Sequence, residues 1–174
     1  IRSGSSQQLD FNIVRDKIPL YSVDTHIMID ENTGYVSVSR FSETTYDELT
    51  QALDDLNSKG MTQLILDLRG NPGGYLNQAV KISDLFISGK KKIVYTEGRR
   101  KEFDEEYFAS EPSKFENIPL IILINKGSAS ASEIVSGAVQ DWDRGLIVGE
   151  SSFGKGLVQR QFELSDNSAL RLTI

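Results

Sequence analysis

The sequence predicts an α/β fold in which a mostly parallel β-sheet is flanked by helices and extended by antiparallel strands. Short apolar runs rich in β-branched residues alternate with segments whose apolar residues recur at helical spacing. Near both ends, strand-like segments are joined by the turn-forming stretches ENTG and SDNS, which is typical of antiparallel hairpins. The length of 174 residues suits one domain with a single core.

Eight segments bounded by turn-forming residues are expected to be strands. They are residues 26–30, 34–41, 63–68, 91–96, 119–125, 145–150, 157–164 and 169–174. Residues 97–117 are mostly charged and polar without a clear period. We interpret them as a long loop that either covers a site or is a mobile surface excursion.

Three segments are expected to be helices. In the first, residues 44–60, apolar residues recur at helical spacing and Thr45 with Glu48 forms the capping-box pattern. The second covers about residues 75–88, and the third begins within the stretch NKGSASASEI.

Composition excludes several classes of function. The net charge of −6 disfavours binding to a phosphate backbone, so no nucleic-acid partner is expected. No apolar run approaches the roughly 18 residues that a membrane span needs, so no transmembrane segment is expected. The absence of cysteine excludes disulfides and thiolate metal sites.

One motif resembles a nucleotide-binding loop, because Gly149 to Lys155 matches G-x-x-x-x-G-K after a strand. The next residue is Gly156, where a P-loop has the Ser or Thr that binds magnesium, and a strand pattern follows where a helix is needed. We therefore reject this interpretation.

Two strand-to-helix turns, RGNPGG and NKGSAS, are expected at the carboxyl ends of strands in one sheet, where ligand sites of α/β proteins gather. Gly73 and Gly74 permit close backbone approach, so an amide of this turn is a candidate oxyanion donor. Without other evidence, however, a turn of this composition is simply a turn.

The serines at the start of the third helix have two interpretations. Ser130 with Glu133 matches a capping box, so Ser130 is either a helix cap or a nucleophile in the positive field of a helix N-terminus. Local sequence does not decide among Ser128, Ser130 and Ser132.

A serine nucleophile needs a base that takes its proton. His26, with Asp24 nearby, is the one imidazole candidate, which leaves a Ser-His-Asp triad open. A lysine must be neutral to act as base, which burial favours, and Lys155 between Gly154 and Gly156 is the best lysine by this criterion.

Strand parity adds Gln159. If a strand begins near Lys155, both side chains share one face, and the amide of Gln159 would hold the lysine amine. Alternatively, Gln159 forms a solvent-exposed strand face with Gln161 and Glu163.

Four ordered motifs, LILDLRGNPGG, NKGSASASEI, GAVQDWDRGLIVGE and FGKGLVQ, closely resemble the signature segments of the C-terminal processing peptidases. These are serine proteases with a Ser-Lys dyad, and the resemblance covers residues 34–174. It implies that Ser130 is the nucleophile, Lys155 the general base and Gln159 its support. It also implies that the amides of Ala131 and Gly74 bind the oxyanion.

The resemblance further implies a crotonase-like core at residues 20–174, truncated at its C-terminal end, preceded at residues 1–19 by a linker remnant of a missing PDZ module. The implied function is endoproteolysis near exposed polypeptide C-termini through an acyl-enzyme, without metal or cofactor. The implied location is extracytoplasmic, in the bacterial periplasm or cell envelope.

Two further functions and the mode of assembly stay open at this point. A non-catalytic peptide-binding or scaffold protein on the same fold would bind C-termini without turnover. A crotonase-type thioester enzyme would bind coenzyme A. The sequence does not decide between a monomer, a homo-oligomer and a complex with a regulatory adaptor.

Overall fold

The computed structural model describes residues 11–14 and 20–174. The predicted linker at residues 1–19 lies outside the described residues except for 11–14, and it stays a prediction. No helix in the described ranges combines the length and the apolar character needed to cross a membrane.

The described part of the chain contains three helices, nine strands and one 3-10 turn at Lys101–Phe103. The helices are α1 (Thr45–Ser58), α2 (Leu76–Asp84) and α3 (Ala131–Asp141). The strands are β1 (Val23–Met28), β2 (Thr33–Val38), β3 (Gln63–Asp67), β4 (Lys92–Thr96), β5 (Glu105–Phe108), β6 (Leu120–Ile124), β7 (Leu146–Gly149), β8 (Gln159–Glu163) and β9 (Ala169–Thr173).

The main sheet has five strands in the order β1-β2-β3-β6-β7. β1 is antiparallel to β2, and the other neighbours are parallel. β4–β5 and β8–β9 form separate two-stranded antiparallel sheets. The predicted α/β fold, with a mostly parallel sheet and antiparallel additions, is confirmed.

The core lies between one face of the main sheet and the helices. Alternate residues of the central strands are buried because successive side chains of a strand point to opposite faces. The buried strand residues are Val36, Val38, Leu64, Leu66, Leu120 and Ile122. They share one cluster with Leu49, Leu53, Ile82, Val135 and Val139 of the helices and with Phe86, which follows α2. This packing fixes β3 and β6, which carry the two predicted site turns.

The predicted capping box of α1 is wrong. The N-cap is Thr44, and its hydroxyl donates to Glu48 Oε1 at 2.6 Å. The Thr45 hydroxyl instead accepts from a backbone N–H in the preceding turn. Glu48 Oε2 accepts hydrogen bonds from the N–H of Ser22 at 2.7 Å and of Val23 at 3.0 Å. This carboxylate therefore ties the chain before β1 to α1, a contact between distant segments that a local pattern does not reveal.

The sequence suggested that residues 97–117 form a long loop, but the structure shows secondary structure there. They contain the 3-10 turn and β5, which pairs antiparallel with β4. This hairpin has a small core of its own, in which Ile93 and Ala109 pack with Ile87 and with Ala138 of α3. The hairpin is therefore fixed to the helix that follows the serine-rich turn.

Candidate active site

The two predicted turns meet at one edge of the sheet because β3 and β6 are adjacent and parallel. Asn71, which is fully buried, links them. Its carbonyl oxygen accepts the N–H of Ala129 at 3.0 Å and the hydroxyl of Ser132 at 2.9 Å. The turn after β3 therefore holds the turn after β6 in place.

An ion pair stabilises the first of these turns. Asp67, which is 5% exposed, accepts hydrogen bonds from the Arg69 guanidinium at 2.6 Å and from the Tyr35 hydroxyl at 2.7 Å. Burial alone would raise the pKa of Asp67, but the hydrogen bonds from Arg69 and Tyr35 outweigh it and lower this pKa. The carboxylate is therefore ionised at neutral pH.

Replacing Asp67 by asparagine should lower the free energy of unfolding by about 2 kcal/mol at pH 7, since hydrogen bonds to a charged group are lost. Because the pKa is lowered in the folded state, this stabilisation is present above the unfolded pKa of about 3.9 and is lost as pH falls through the folded pKa. Urea denaturation at pH 7 and pH 3 should therefore show a difference that shrinks at pH 3.

The control for this prediction is Asp54→Asn, which removes a half-exposed ion pair with Lys114 and should change stability little. An Asp67→Asn deficit of equal size at both pH values would contradict the prediction.

The three serines of the second turn have different environments. Ser128 and Ser132 are fully buried, and their hydroxyls donate to the carbonyl oxygens of Leu68 at 2.7 Å and Asn71 at 2.9 Å. Ser130 is half-buried. Two of the serines therefore hold the turns together, and Ser130 is the one of the three with a partly accessible side chain.

Ser130 has an unusual backbone conformation. It is the N-cap of α3, with φ 54° and ψ −112°. A residue with a Cβ rarely adopts such angles, and the cost is of order 1–3 kcal/mol. The strain persists because the buried contacts of Ala129 and Ser132 fix the chain on both sides. Strain of this kind is concentrated at functional sites, where it displays a side chain at the start of a helix.

The backbone amides of Ala131 and Gly74 are the two predicted oxyanion donors. Within the described ranges, neither the N–H of Ala131 nor that of Gly74 donates a hydrogen bond. A Cβ on Gly73, which has φ +94°, would lie 2.8 Å from Ala131 N and 2.9 Å from Ser130 Cβ. Glycine at this position therefore lets the turn approach the serine closely, and both predicted oxyanion donors lie on the two turns that meet there.

Glu133 joins the serine turn to the segment that carries Lys155. Its Oε2 accepts the N–H of Ser130 at 2.7 Å and the N–H of Lys155 at 2.9 Å. Its Oε1 accepts the Ser152 hydroxyl at 2.7 Å and the Gly154 N–H at 2.6 Å. The backbones of Ser130 and Lys155, distant in sequence, therefore converge on one carboxylate oxygen.

These contacts keep Glu133 charged. Burial alone would raise its pKa, but the hydrogen bonds from Ser152 and from the amides of Lys155, Ser130 and Gly154 lower this pKa below its usual range. From the sequence, Glu133 is expected only as a capping residue. The S-x-x-E pattern does predict its bond to the Ser130 amide, but its bonds to residues 152–155 depend on tertiary structure.

Gln159 is the first residue of β8, and residues 151–158 have no regular secondary structure. The premise that a strand begins near Lys155 is therefore wrong. Gln159 is exposed and lies on the same hairpin face as Gln161 and Glu163. No hydrogen bond within the described residues connects Gln159 to Lys155 or Ser130, and its supporting role stays a prediction.

His26 lies away from the serine turn. It is on β1, three strand spacings from β6, or about 14 Å. Its Nε2 lies 3.2 Å from Asp55 Oδ2 on α1, and Asp24 instead accepts the Ser39 hydroxyl at 3.0 Å. The structure therefore does not bring His26, Asp24 and Ser130 together.

A phosphate-binding loop and a metal centre also find no support in the described part of the chain. No helix follows Lys155, so the P-loop-like motif lacks the helix N-terminus that binds phosphate. Across residues 11–14 and 20–174, no group of three or more His, Asp or Glu side chains is placed to hold a metal ion.

Comparison with known proteins identifies a family. The model of peptidase family S41 matches residues 32–174. The chain is 42% identical over 166 residues to the carboxy-terminal processing protease CtpA of Bacillus subtilis, covering 95% of this chain and 35% of that protein. It is 43% identical over 176 residues to a carboxy-terminal-processing protease of Bartonella bacilliformis, covering 99% of this chain and 40% of that protein.

A solved structure agrees with these sequence matches. The photosystem II D1 C-terminal processing protease superposes with a TM-score of 0.68 at 37% identity, covering 81% of this chain and 36% of that one. The chain therefore spans 35–40% of the length of these relatives.

Proposed function

This chain belongs to peptidase family S41, and we propose that it is the catalytic core of a serine endopeptidase that cleaves polypeptides near their C-termini. The observation that supports this most strongly is the convergence at Glu133. The backbone N–H groups of the strained Ser130 and of Lys155 donate to the same carboxylate oxygen, so the backbones of the two residues are anchored next to each other.

In the proposed mechanism, Lys155 acts in its neutral form. Its amine takes the proton of the Ser130 hydroxyl while Oγ attacks the carbonyl carbon of the scissile peptide bond. Lys155 is half-buried, and a bound substrate would exclude further water from the site. Gln159 would orient the amine by accepting a hydrogen bond from it at the side-chain carbonyl oxygen.

Negative charge then develops on the carbonyl oxygen. The N–H groups of Ala131 and Gly74 would donate to this oxyanion, and the start of α3 adds a favourable field. The intermediate collapses as the Lys155 ammonium protonates the leaving amine. A water molecule, deprotonated by Lys155, then attacks the acyl-enzyme ester and regenerates Ser130.

The substrate class follows from the relatives, which are named for processing carboxy termini. We extend this preference to the protein that contains this chain. The substrates would be polypeptides with accessible C-terminal segments, because an extended chain must reach Ser130, where the turns after β3 and β6 meet.

The proposal is tested by incubating the purified protein with an unfolded polypeptide. New termini are identified by mass spectrometry, and after acid quenching the peptide that contains Ser130 is searched for an acyl adduct. We expect cuts clustered near the substrate C-terminus and an adduct on Ser130.

Different outcomes would support a different function. Peptide binding without new termini would contradict the proposal and indicate a scaffold protein. Saturable binding of coenzyme A without peptide cleavage would indicate thioester chemistry. Cleavage with an adduct on Ser128 or Ser132 would retain the peptidase and reject the assigned nucleophile.

A further inference from the structure

We infer that Arg160 is a positioning residue of this site, and that its contacts with Glu105 and Phe103 hold the segment bearing Lys155 and Gln159 in its working position. The inference rests on the proposed function. Its basis is how the β8–β9 hairpin is attached to the rest of the protein.

The backbone between the site and the β8–β9 hairpin has little local structure to fix its conformation. Residues 151–158 have no regular secondary structure, and Gly154 has φ +83°. A Cβ placed on Gly154 or Gly156 would meet no atom within 4 Å. Glu133 anchors this segment up to the amide of Lys155, but the chain beyond it needs a second anchor.

The hairpin supplies few anchors itself. Among residues 11–14 and 20–174, its strands form backbone ladder bonds only with each other, and the added backbone bonds, such as Ile174 N–H to the Val158 carbonyl oxygen at 3.1 Å, are also internal. An isolated two-stranded hairpin is marginally stable at best. Its position therefore depends on side-chain contacts with the body of the protein.

One residue makes the polar contact. In the described part of the chain, the single hydrogen bond between residues 157–174 and the rest runs from the Arg160 guanidinium to Glu105 on β5. The same guanidinium lies 5.4 Å from the centre of the Phe103 ring, a cation–π contact. Tyr107 donates its hydroxyl to the other oxygen of Glu105 and so fixes the acceptor.

Arg160 also differs from its neighbours in burial, because it is half-buried while the other residues of β8 are exposed. Adjacent strand residues point to opposite faces, so holding Arg160 on one face sets the orientation of Gln159 on the other.

The β4–β5 hairpin, which carries Glu105, is attached to the helix that begins after Ser130. Ile93 of β4 and Ala109, directly after β5, lie in one cluster with Ala138 of α3. The indole N–H of Trp142, just after α3, donates to the Lys92 carbonyl oxygen at 2.8 Å. The N-cap of α3 is Ser130. Lys155 therefore lies between two attachment points, the Glu133 carboxylate before it and the Arg160–Glu105 contact after it. Both are connected to α3.

The test compares steady-state peptide cleavage by the wild-type protein and the variants Arg160→Ala, Glu105→Gln and the double variant. The matched control is Arg171→Ala, which removes the same charge from the opposite face of the hairpin, where Arg171 contacts Gln161. We expect kcat to fall about tenfold or more in each test variant, because misplacing a catalytic group is costly. KM should change less than about threefold, because Arg160 does not touch the substrate.

The double variant should be no slower than the single variants, because the two residues act through each other. Arg171→Ala should stay within about twofold of the wild-type kcat, as expected of an exposed residue whose side chain contacts Gln161 within the hairpin. Amide hydrogen exchange of residues 159–163 should be about tenfold faster in Arg160→Ala than in Arg171→Ala, since a detached hairpin opens more often.

Several results would overturn the inference alone. These are an unchanged kcat in Arg160→Ala, an equal loss in Arg171→Ala, effects of Arg160 and Glu105 that multiply in the double variant, or unchanged hairpin exchange. If Arg160→Ala failed to fold, Glu105→Gln would test the same contact by changing the acceptor of the Arg160 hydrogen bond. A folded wild-type protein without peptidase activity would contradict the proposed function, and the positioning role with it.

Discussion

Replacing Ser130 or Lys155 by alanine is expected to lower kcat for peptide cleavage by about 10⁴-fold or more, because each variant removes either the proposed nucleophile or the proposed base. The double variant should be no slower than either single variant, since the two groups act as one unit. Lys155→Arg should be equally inactive, because a guanidinium does not lose its proton in proteins. Initial rates with a quenched fluorescent peptide measure all four variants.

The neighbouring serines provide matched controls. Ser128→Ala and Ser132→Ala delete hydroxyls that donate to buried carbonyl oxygens, so each should lower the free energy of unfolding by about 1–2 kcal/mol. Their folded fraction should still cleave peptides, because neither hydroxyl is assigned to the chemistry. Cleavage by Ser130→Ala at more than about a hundredth of the wild-type rate would exclude Ser130 as nucleophile.

His26→Ala decides between the two candidate bases. The imidazole contacts Asp55 on α1, and its strand β1 is three strand positions away from β6, which leads into the serine turn. We expect kcat within about twofold of wild type, as for other surface positions. Loss of activity in His26→Ala with retention in Lys155→Ala would reverse the assignment.

Much of the fold could be predicted because each element of the central sheet has a local signature. The runs at β3 and β6 are apolar and short, and each ends in a glycine-containing turn before a helix. Parallel neighbours place these turns at one edge, so the location of the site follows from the alternation of strands and helices.

β5 could not be predicted in the same way. Its sequence EEYF has two acidic residues and no buried side chain, so no apolar alternation marks it. The strand exists because it pairs with β4 and because the flanking Ala109 packs in the small core. Both are tertiary effects, which override weak local preference.

The different environments of the three serines could not be predicted from the local sequence. Ser128, Ser130 and Ser132 occupy equivalent positions in an alternating sequence, and what separates them is which carbonyl oxygens lie opposite. Those carbonyls belong to the turn after β3, some 60 residues earlier in the chain, as the separations of 60 and 61 residues in these two bonds show. The distinction therefore arises only when the turns pack together.

Glu133→Gln is expected to lower kcat by about 100-fold, because this carboxylate holds the backbones of both Ser130 and Lys155. A glutamine side chain has one acceptor oxygen and an NH₂ group, which would face N–H donors of the segment 152–155 or of Ser130. Some of these amides would lose their acceptor, and the Lys155 segment would shift relative to the serine. KM should change little, because Glu133 is not expected to touch the substrate.

Glu48→Gln is the matched control, since it distinguishes positioning from general stability. Glu48 also lies in the first turn of a helix, accepts from two backbone amides and two hydroxyls, and has a lowered pKa despite the opposing effect of burial. Both variants should therefore lose stability by similar amounts in urea denaturation. Only Glu133→Gln should lose kcat at a temperature where both are folded, because Glu48 fixes β1 to α1 and not the site. Equal kcat losses in the two variants would show that Glu133 acts through stability alone.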